Sequence, residues 1–227
     1  MQPYFVPYAG YFRLFAASDV FVIYDCVQFP RRGWVHRNRF ADASGREQWL
    51  TLPLAKAPRD VLIRDLRFQP DAAAVFEERV RRVPVLSATR GHCSDVISVL
   101  LSLSGTPVDY LERLLSAVNA HLGFRPEVLR SSTMHIPETL RGQERILEIA
   151  RRLRAARYVN APGGRALYDA DRFEQAGIEL RFLDEYGGPS VSILQRLLTE
   201  DVQSLADDIR RSAISTSTTA ASRSVTS

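Results

Sequence analysis

Cys26 lies in the apolar run Val20-Phe21-Val22-Ile23-Tyr24-Asp25-Cys26-Val27, ten positions before His36 in Trp34-Val35-His36-Arg37-Asn38-Arg39-Phe40. Pro30, Arg31, Arg32 and Gly33 fall between the two runs. Read as antiparallel strands closed by a turn centred on Arg31, the pair puts Cys26 directly opposite His36, with thiol and imidazole on one face. Those two groups are the minimum equipment for nucleophilic acyl transfer, since a thiolate attacks carbonyls and an imidazole takes and returns its proton. The alternative for Cys26 is inert packing, the usual fate of a cysteine in a strand. A register slip of one residue would also separate the two side chains.

On the same expected face lie Tyr24, Gln28, Trp34 and Asn38, while Asp25, Arg37 and Arg39 point to the other side. Asn38 is the nearest group to orient His36, in the way an amide serves cysteine-protease-like sites; its alternative is a polar residue satisfying an edge or turn. Asp184 or Glu185 are other candidates for that third role. Gly91-His92-Cys93 offers a second thiol and imidazole, but adjacent residues point apart and make a poor nucleophile and base. His121, near a helix end, reads as a partner of the helix dipole. Two cysteines and four scattered histidines show no ligand spacing for a metal. Arg37 and Arg39 suit an anion or a solvated edge. Gly163 and Gly164, after a candidate strand, would expose amides to a phosphate or carboxylate, or else form a turn requiring positive φ.

The elements that must position these groups change character along the 227 residues. An aromatic opening, the two strands and Trp49-Leu50-Thr51-Leu52-Pro53-Leu54 make the part from 1 to about 105 β-rich. From Pro107, Val108, Leu111, Leu115, Val118 and Leu122 recur at helical spacing, as do Ile146, Ile149, Ala150 and Leu153. Strands are expected at Arg157–Asn160 and Ile178–Leu183, with a short helix from Asp169 to Ala176 stopped by Gly177. A last helix is expected near Ser192 to Arg211. The class is therefore α+β, a mixed α/β fold in one catalytic domain over 1–211, with a Ser/Thr/Ala-rich end at 212–227 expected to be disordered.

With 45% hydrophobic and 25% charged residues, composition is that of an ordinary globular protein. No run reaches the roughly 18 to 20 apolar residues that cross a bilayer. The opening residues lack the positive region of a secretory signal, so a cytoplasmic setting with free thiols is expected. The net charge of +4 is carried by arginine, with Lys56 the single lysine. No DNA- or RNA-binding motif accompanies it, and nucleic acid is not an expected partner.

The opening Met1-Gln2-Pro3-Tyr4-Phe5-Val6-Pro7-Tyr8-Ala9-Gly10-Tyr11-Phe12, with Asp25-Cys26-Val27-Gln28-Phe29, Arg32-Gly33-Trp34, Arg37-Asn38-Arg39 and Trp49–Leu54, resembles the WbqC-like protein family. Tyr158-Val159-Asn160, Gly163-Gly164-Arg165, Tyr168 and Gly177–Leu180 continue the likeness, which is poor from about Val75 to Leu103. Many members carry a second acidic residue where this chain has Cys26. In that departure the chain is similar to the branch of lincosamide-biosynthesis condensing enzymes, which join a carrier-bound proline derivative to an amino-octose through an amide. The resemblance implies a cysteine-protease-like fold, Cys26 as nucleophile and His36 as base.

The expected function is thus an N-acyltransferase that takes an aminoacyl group from the phosphopantetheine of a peptidyl carrier protein and passes it to an amino sugar. No bound cofactor is expected. Tyr4, Phe5, Tyr8, Tyr11 and Trp34 would wall a dry pocket, and Gln2 or Gln28 would face the oxyanion. A thioesterase or cysteine hydrolase would use the same pair, and a non-catalytic sugar-binding module would not need it.

Overall fold

The computed structural model describes residues 1–42, 44, 46–88, 93–214 and 216–218. The aromatic opening folds into α1 (Ala9–Ala16), a helix buried on almost every side. It leads into β1 (Val20–Ile23), followed by β2 (Arg37–Ala41) and β3 (Glu47–Thr51). Three helices come next, α2 (Ala72–Arg81), α3 (Pro84–Ala88) and α4 (Ser94–Leu101), before the long α5 (Pro107–His121). Then follow β4 (Glu127–Arg130), α6 (Gly142–Arg152), β5 (Arg157–Asn160), α7 (Ala170–Gln175) and β6 (Glu179–Leu183). The chain ends in α8 (Ile193–Thr199), α9 (Val202–Ile214) and β7 (Thr216–Thr218). The α+β class stands, but α1 to α4 place helices in the half whose sequence reads as β-rich.

The strands form three small sheets. β1 pairs parallel with β4, Val20 against Glu127 and Ile23 against Arg130. β2 and β3 form an antiparallel hairpin with Arg37 opposite Thr51. β5 pairs parallel with β6, and β6 antiparallel with β7. The expected hairpin between the Cys26 and His36 runs is therefore not formed. A turn does close there, with the Gly33 amide on the Pro30 carbonyl at 2.8 Å. Beyond it the two arms diverge: residues 25–29 lie along 61–64, through Phe29 to Val61, Ile63 to Val27 and Arg64 to Asp25, and His36 accepts from Leu52.

The reason lies in β1, whose alternate side chains serve two cores. Phe21 and Ile23 belong to the main core, with Phe5, Phe12, Phe15, Tyr110 and the inner face of α5. Val22 and Tyr24 pack on a second cluster built from Ile146, Leu147, Ile149, Phe173, Ile178 and Phe182. A strand with one buried and one half-buried face is accommodated by parallel pairing, and β4 supplies it.

Local signals explain several boundaries. Thr106 and Asp109 form a reciprocal capping box at the start of α5, with Pro107 in the first turn. Gly123, at φ 74°, follows its end, and its neighbour Phe124 donates to the Asn119 carbonyl. Gly177, at φ 70°, stops α7 where expected. Arg13 of α1 is 2% exposed and donates to the carbonyls of Ser212 and Asp184, fastening the start of the chain to the end of α9. The last helix is in fact two, broken at Glu200 and Asp201. Within the stretch expected to be disordered, α9 continues to Ile214 and residues 216–218 pair with β6; Ser215 and 219–227 lie outside the described residues.

Candidate active site

Parallel strands tend to carry chemistry at their carboxyl ends. At that end of β1 stands Asp25, 1% exposed. Its Oδ1 accepts from Ser131 Oγ at 2.8 Å and from the Ser132 amide at 2.9 Å, and its Oδ2 accepts from Ser132 Oγ at 2.6 Å. Both serines follow β4 directly, so the parallel pairing delivers donor and acceptor to the same edge. A buried carboxylate is tolerable only with such satisfaction.

Cys26 comes next in the chain and remains partly exposed. Its thiol donates weakly to Asp25 Oδ1 at 3.8 Å, and Arg64 Nη1 approaches the sulfur from another side, also at 3.8 Å. Arg64 also reaches Glu138 at 3.3 Å and Asp65 at 3.7 Å. Burial works against its charge, but Cys26 and the two carboxylates outweigh that and raise its pKa. Tyr24, one residue before Asp25, packs with Tyr158 and Tyr168 around the second core, and the two phenol oxygens of that pair are 3.2 Å apart. Burial raises the Tyr24 pKa.

His36 is in a different place. Among the described residues no hydrogen bond joins it to Cys26. Its ring meets the Phe29 edge with centroids 5.0 Å apart, and its buried Nδ1 has no hydrogen-bond partner. Burial, then the charge of Arg37, pushes its pKa down to about 4, a range in which an imidazole is a weak base. It lines a pocket of about 360 Å³ with Arg31, Thr51, Lys56, Gln69 and Arg79. Cross-strand pairing of Cys26 with His36 is thus corrected: the arms find separate partners, and the thiol finds Asp25 and Arg64.

Asn38 does not orient His36 either. Its Nδ2 donates to the carbonyls of Phe5 and Val6 at 3.1 and 2.7 Å, and its Oδ1 accepts from the Arg39 amide at 2.7 Å. It clamps the backbone beside Val6, which sits at φ 39°. Tyr4 packs on Tyr11, and Tyr8 on Tyr186. The Gln2 carbonyl accepts from Tyr11 Oη at 2.7 Å, and Gln28 Nε2 donates to the Arg59 carbonyl. Phe5 is fully buried. Much of the expected aromatic wall is therefore core.

Trp34 instead faces solvent with Trp49 of β3, centroids 5.6 Å apart. Arg37 covers the Trp49 ring at 4.3 Å, and Arg39 lies 5.4 Å from Trp34. This is a cation–aromatic patch on the β2–β3 hairpin. Gly163 and Gly164 occupy the turn after β5. Neither has positive φ, so the turn geometry expected of them is corrected; a Cβ on Gly164 would lie 2.6 Å from the Asn160 amide, and close approach is the reason for glycine there.

Asp25, Arg64, Ser131 and Ser132 escaped the sequence reading. An acid closing an apolar strand was the available signal for Asp25. Nothing local marks Arg64 or the serines, because β4 is short and polar at both ends.

A second thiol has an imidazole at hand. Cys93, at the start of α4, lies 3.2 Å from His121 Nε2, and His121 Nδ1 lies 3.3 Å from Asp95 Oδ2. Adjacent His92 lies outside the described residues, and the dipole role expected of His121 omits these side-chain contacts.

Among the described residues, no helix is long and apolar enough to cross a membrane. The model of the WbqC-like protein family matches residues 2–192. A relative from Mycobacterium tuberculosis (strain ATCC 25618 / H37Rv), named as uncharacterized protein Rv1507c, is 29% identical over 224 residues, covering 87% of this chain and 90% of its own length. No solved structure matches the chain. With the family's pattern running from Gln2 through Ser192, across both cores and the edge that carries Asp25 and Cys26, the chain belongs to the WbqC-like protein family.

Proposed function

We propose that this WbqC-like protein is an amide-forming N-acyltransferase that works through a Cys26 acyl-enzyme. One observation carries the reading: the Cys26 thiol sits at the carboxyl edge of a parallel strand pair, between a buried carboxylate and a guanidinium. Arg64 holds a guanidinium beside the sulfur, and Asp25 Oδ1 is the nearest acceptor for the thiol proton. The donor is an aminoacyl thioester on the phosphopantetheine of a carrier protein, and the acceptor is the amine of an amino sugar.

In the first step the Cys26 sulfur bonds to the acyl carbon, the thioester C–S bond breaks, and the pantetheine thiol leaves with a proton. In the second the amine nitrogen bonds to that carbon, the bond to Cys26 breaks, and a proton from the amine returns to the thiol. Exchange of a thioester for an amide runs downhill and needs no nucleotide. Water would give the free acid by the same route, so exclusion of solvent decides between transferase and hydrolase. A cytoplasmic setting, which keeps the thiol reduced, belongs to the proposal.

The test is peptide mass mapping of the protein after incubation with acyl-loaded carrier protein, which separates residue 26 from Cys93, followed by addition of amine. An acyl group on Cys26 of wild type, with amide released in preference to acid and amide formation lost in Cys26→Ala, is the expected result. No acyl group on Cys26 of wild type, or equal amide formation by Cys26→Ala, overturns it.

A further inference from the structure

The candidate site leaves one thiol unused, and it has the more complete set of partners. Cys93 occupies the position just before α4 with φ 63° and ψ 35°, a left-handed conformation uncommon for a side chain of this size. Its sulfur is 3.2 Å from His121 Nε2 and 3.4 Å from the Leu197 carbonyl. His121, in the last turn of α5, turns its other nitrogen to Asp95 Oδ2 at 3.3 Å. Sulfur, imidazole and carboxylate thus follow one another in a line of nucleophile, base and orienting acid.

Three elements converge to build this line: the start of α4, the end of α5 and the last turn of α8. The Asp95 carboxylate lies in the first turn of α4, where the Val96 amide and His121 hold its pKa below the usual range against the cost of burial. It therefore stays ionised to fix the His121 tautomer. Burial, then the Asp95 charge, pushes the Cys93 thiol up, so the resting sulfur keeps its proton and a base must take it during attack. Cys93 is 6% exposed, whereas Asp95 is open to solvent and the His121 side chain is 21% exposed.

We propose that Cys93, His121 and Asp95 form a second acyl-accepting site, one that takes short-chain activated esters or thioesters and hydrolyses them. The Cys93 sulfur bonds to the carbonyl carbon as His121 Nε2 takes the thiol proton. The bond to the leaving oxygen or sulfur breaks, and His121 returns the proton to it. Water then bonds to the acyl carbon, passes a proton through His121 to the departing Cys93 sulfur, and leaves the free acid. Asp95 is a positioning residue. This site shares no residue with the Cys26 reading and stands or falls separately from it.

The test uses the full chain and p-nitrophenyl acetate, with acetylated residues located by peptide mass mapping. The expected result is acetyl on Cys93 of the native protein, formed faster than in the urea-unfolded chain. His121→Gln slows it by about a hundredfold and Asp95→Asn by about tenfold, within the range for loss of a general base or its support. Asp95→Glu restores most of the rate. Acetylation of Cys26 in the same digests is unchanged by all three substitutions. Absence of acetyl on native Cys93, or a rate equal in wild type and His121→Gln, overturns the proposal. Should His121→Gln fail to fold, the native-to-unfolded comparison decides: a slower native reaction at Cys93 overturns it and a faster one supports it.

Discussion

Cys26 and His36 are ten residues apart and end in different surroundings, whereas Cys93 and His121 are separated by 28 positions and stand 3.2 Å from each other. The contrast shows how little nearness along the chain settles when two arms leave a turn toward different partners. β1 is held by a strand a hundred residues later, and that pairing draws Cys26 away from His36, which leads into the β2–β3 hairpin. Cys93 and His121 meet because two packed helices bring the start of one to the end of the other. The two thiols also differ in kind: Cys26 is more open and faces a fixed positive charge, while Cys93 is buried and faces an imidazole.

Four measurements break or sharpen that comparison. The largest effect is expected from Asp25→Ala, which leaves the donors of Ser131 and Ser132 buried without their acceptor. A loss of about 3 kcal/mol in urea unfolding is expected, and a loss under about 1 kcal/mol would show that the edge is not organised around that carboxylate. Next, Arg64→Gln should slow alkylation of Cys26 by iodoacetamide at neutral pH by about tenfold and leave Cys93 untouched. Equal slowing at both thiols would refute a local effect of the guanidinium.

Thr106→Ala removes the capping box of α5 at the end far from His121, and should cost about 1 kcal/mol of stability without changing Cys93 reactivity. A changed reactivity would mean that the whole helix, and not its last turn, sets the imidazole. The smallest effect concerns His36. Its pKa falls from 6.5 to about 4 on folding, so as pH drops the unfolded chain binds the proton first. Its neutral form therefore contributes stability that is full above about pH 6.5 and lost as pH falls toward 4. Discounted for partial exposure, this amounts to about 0.5 to 1 kcal/mol. His36→Gln should flatten the stability profile in that window; an unchanged slope would place the pH dependence elsewhere.

Much of the second half was legible in the sequence. β5 falls at Arg157–Asn160 as read, α5 and α6 lie where their apolar spacing puts them, and Gly177 ends α7. These elements are amphipathic and their signals are local. The first half was harder because α1 is apolar nearly all round and shows no period, and its run of aromatics reads as well for strand as for helix. At the site, the Cys26 thiol stands out in its apolar run, but its neighbours come from β4 and from the segment around Arg64, which no spacing links to it. Asn38 was noticed for a catalytic role and turned out to hold backbone, a distinction that depends on where its amide points.

Arg13 carries a consequence for biosynthesis. Its guanidinium is buried on the first helix along the chain, yet the carbonyls that receive it belong to Asp184 and Ser212. A growing chain on the ribosome therefore has a charged group without these acceptors until Asp184 and Ser212 have emerged. Completion of the domain must wait for that late closure, and the half-made polypeptide, with its aromatic opening unsealed, is the stage at which a chaperone has most to shield.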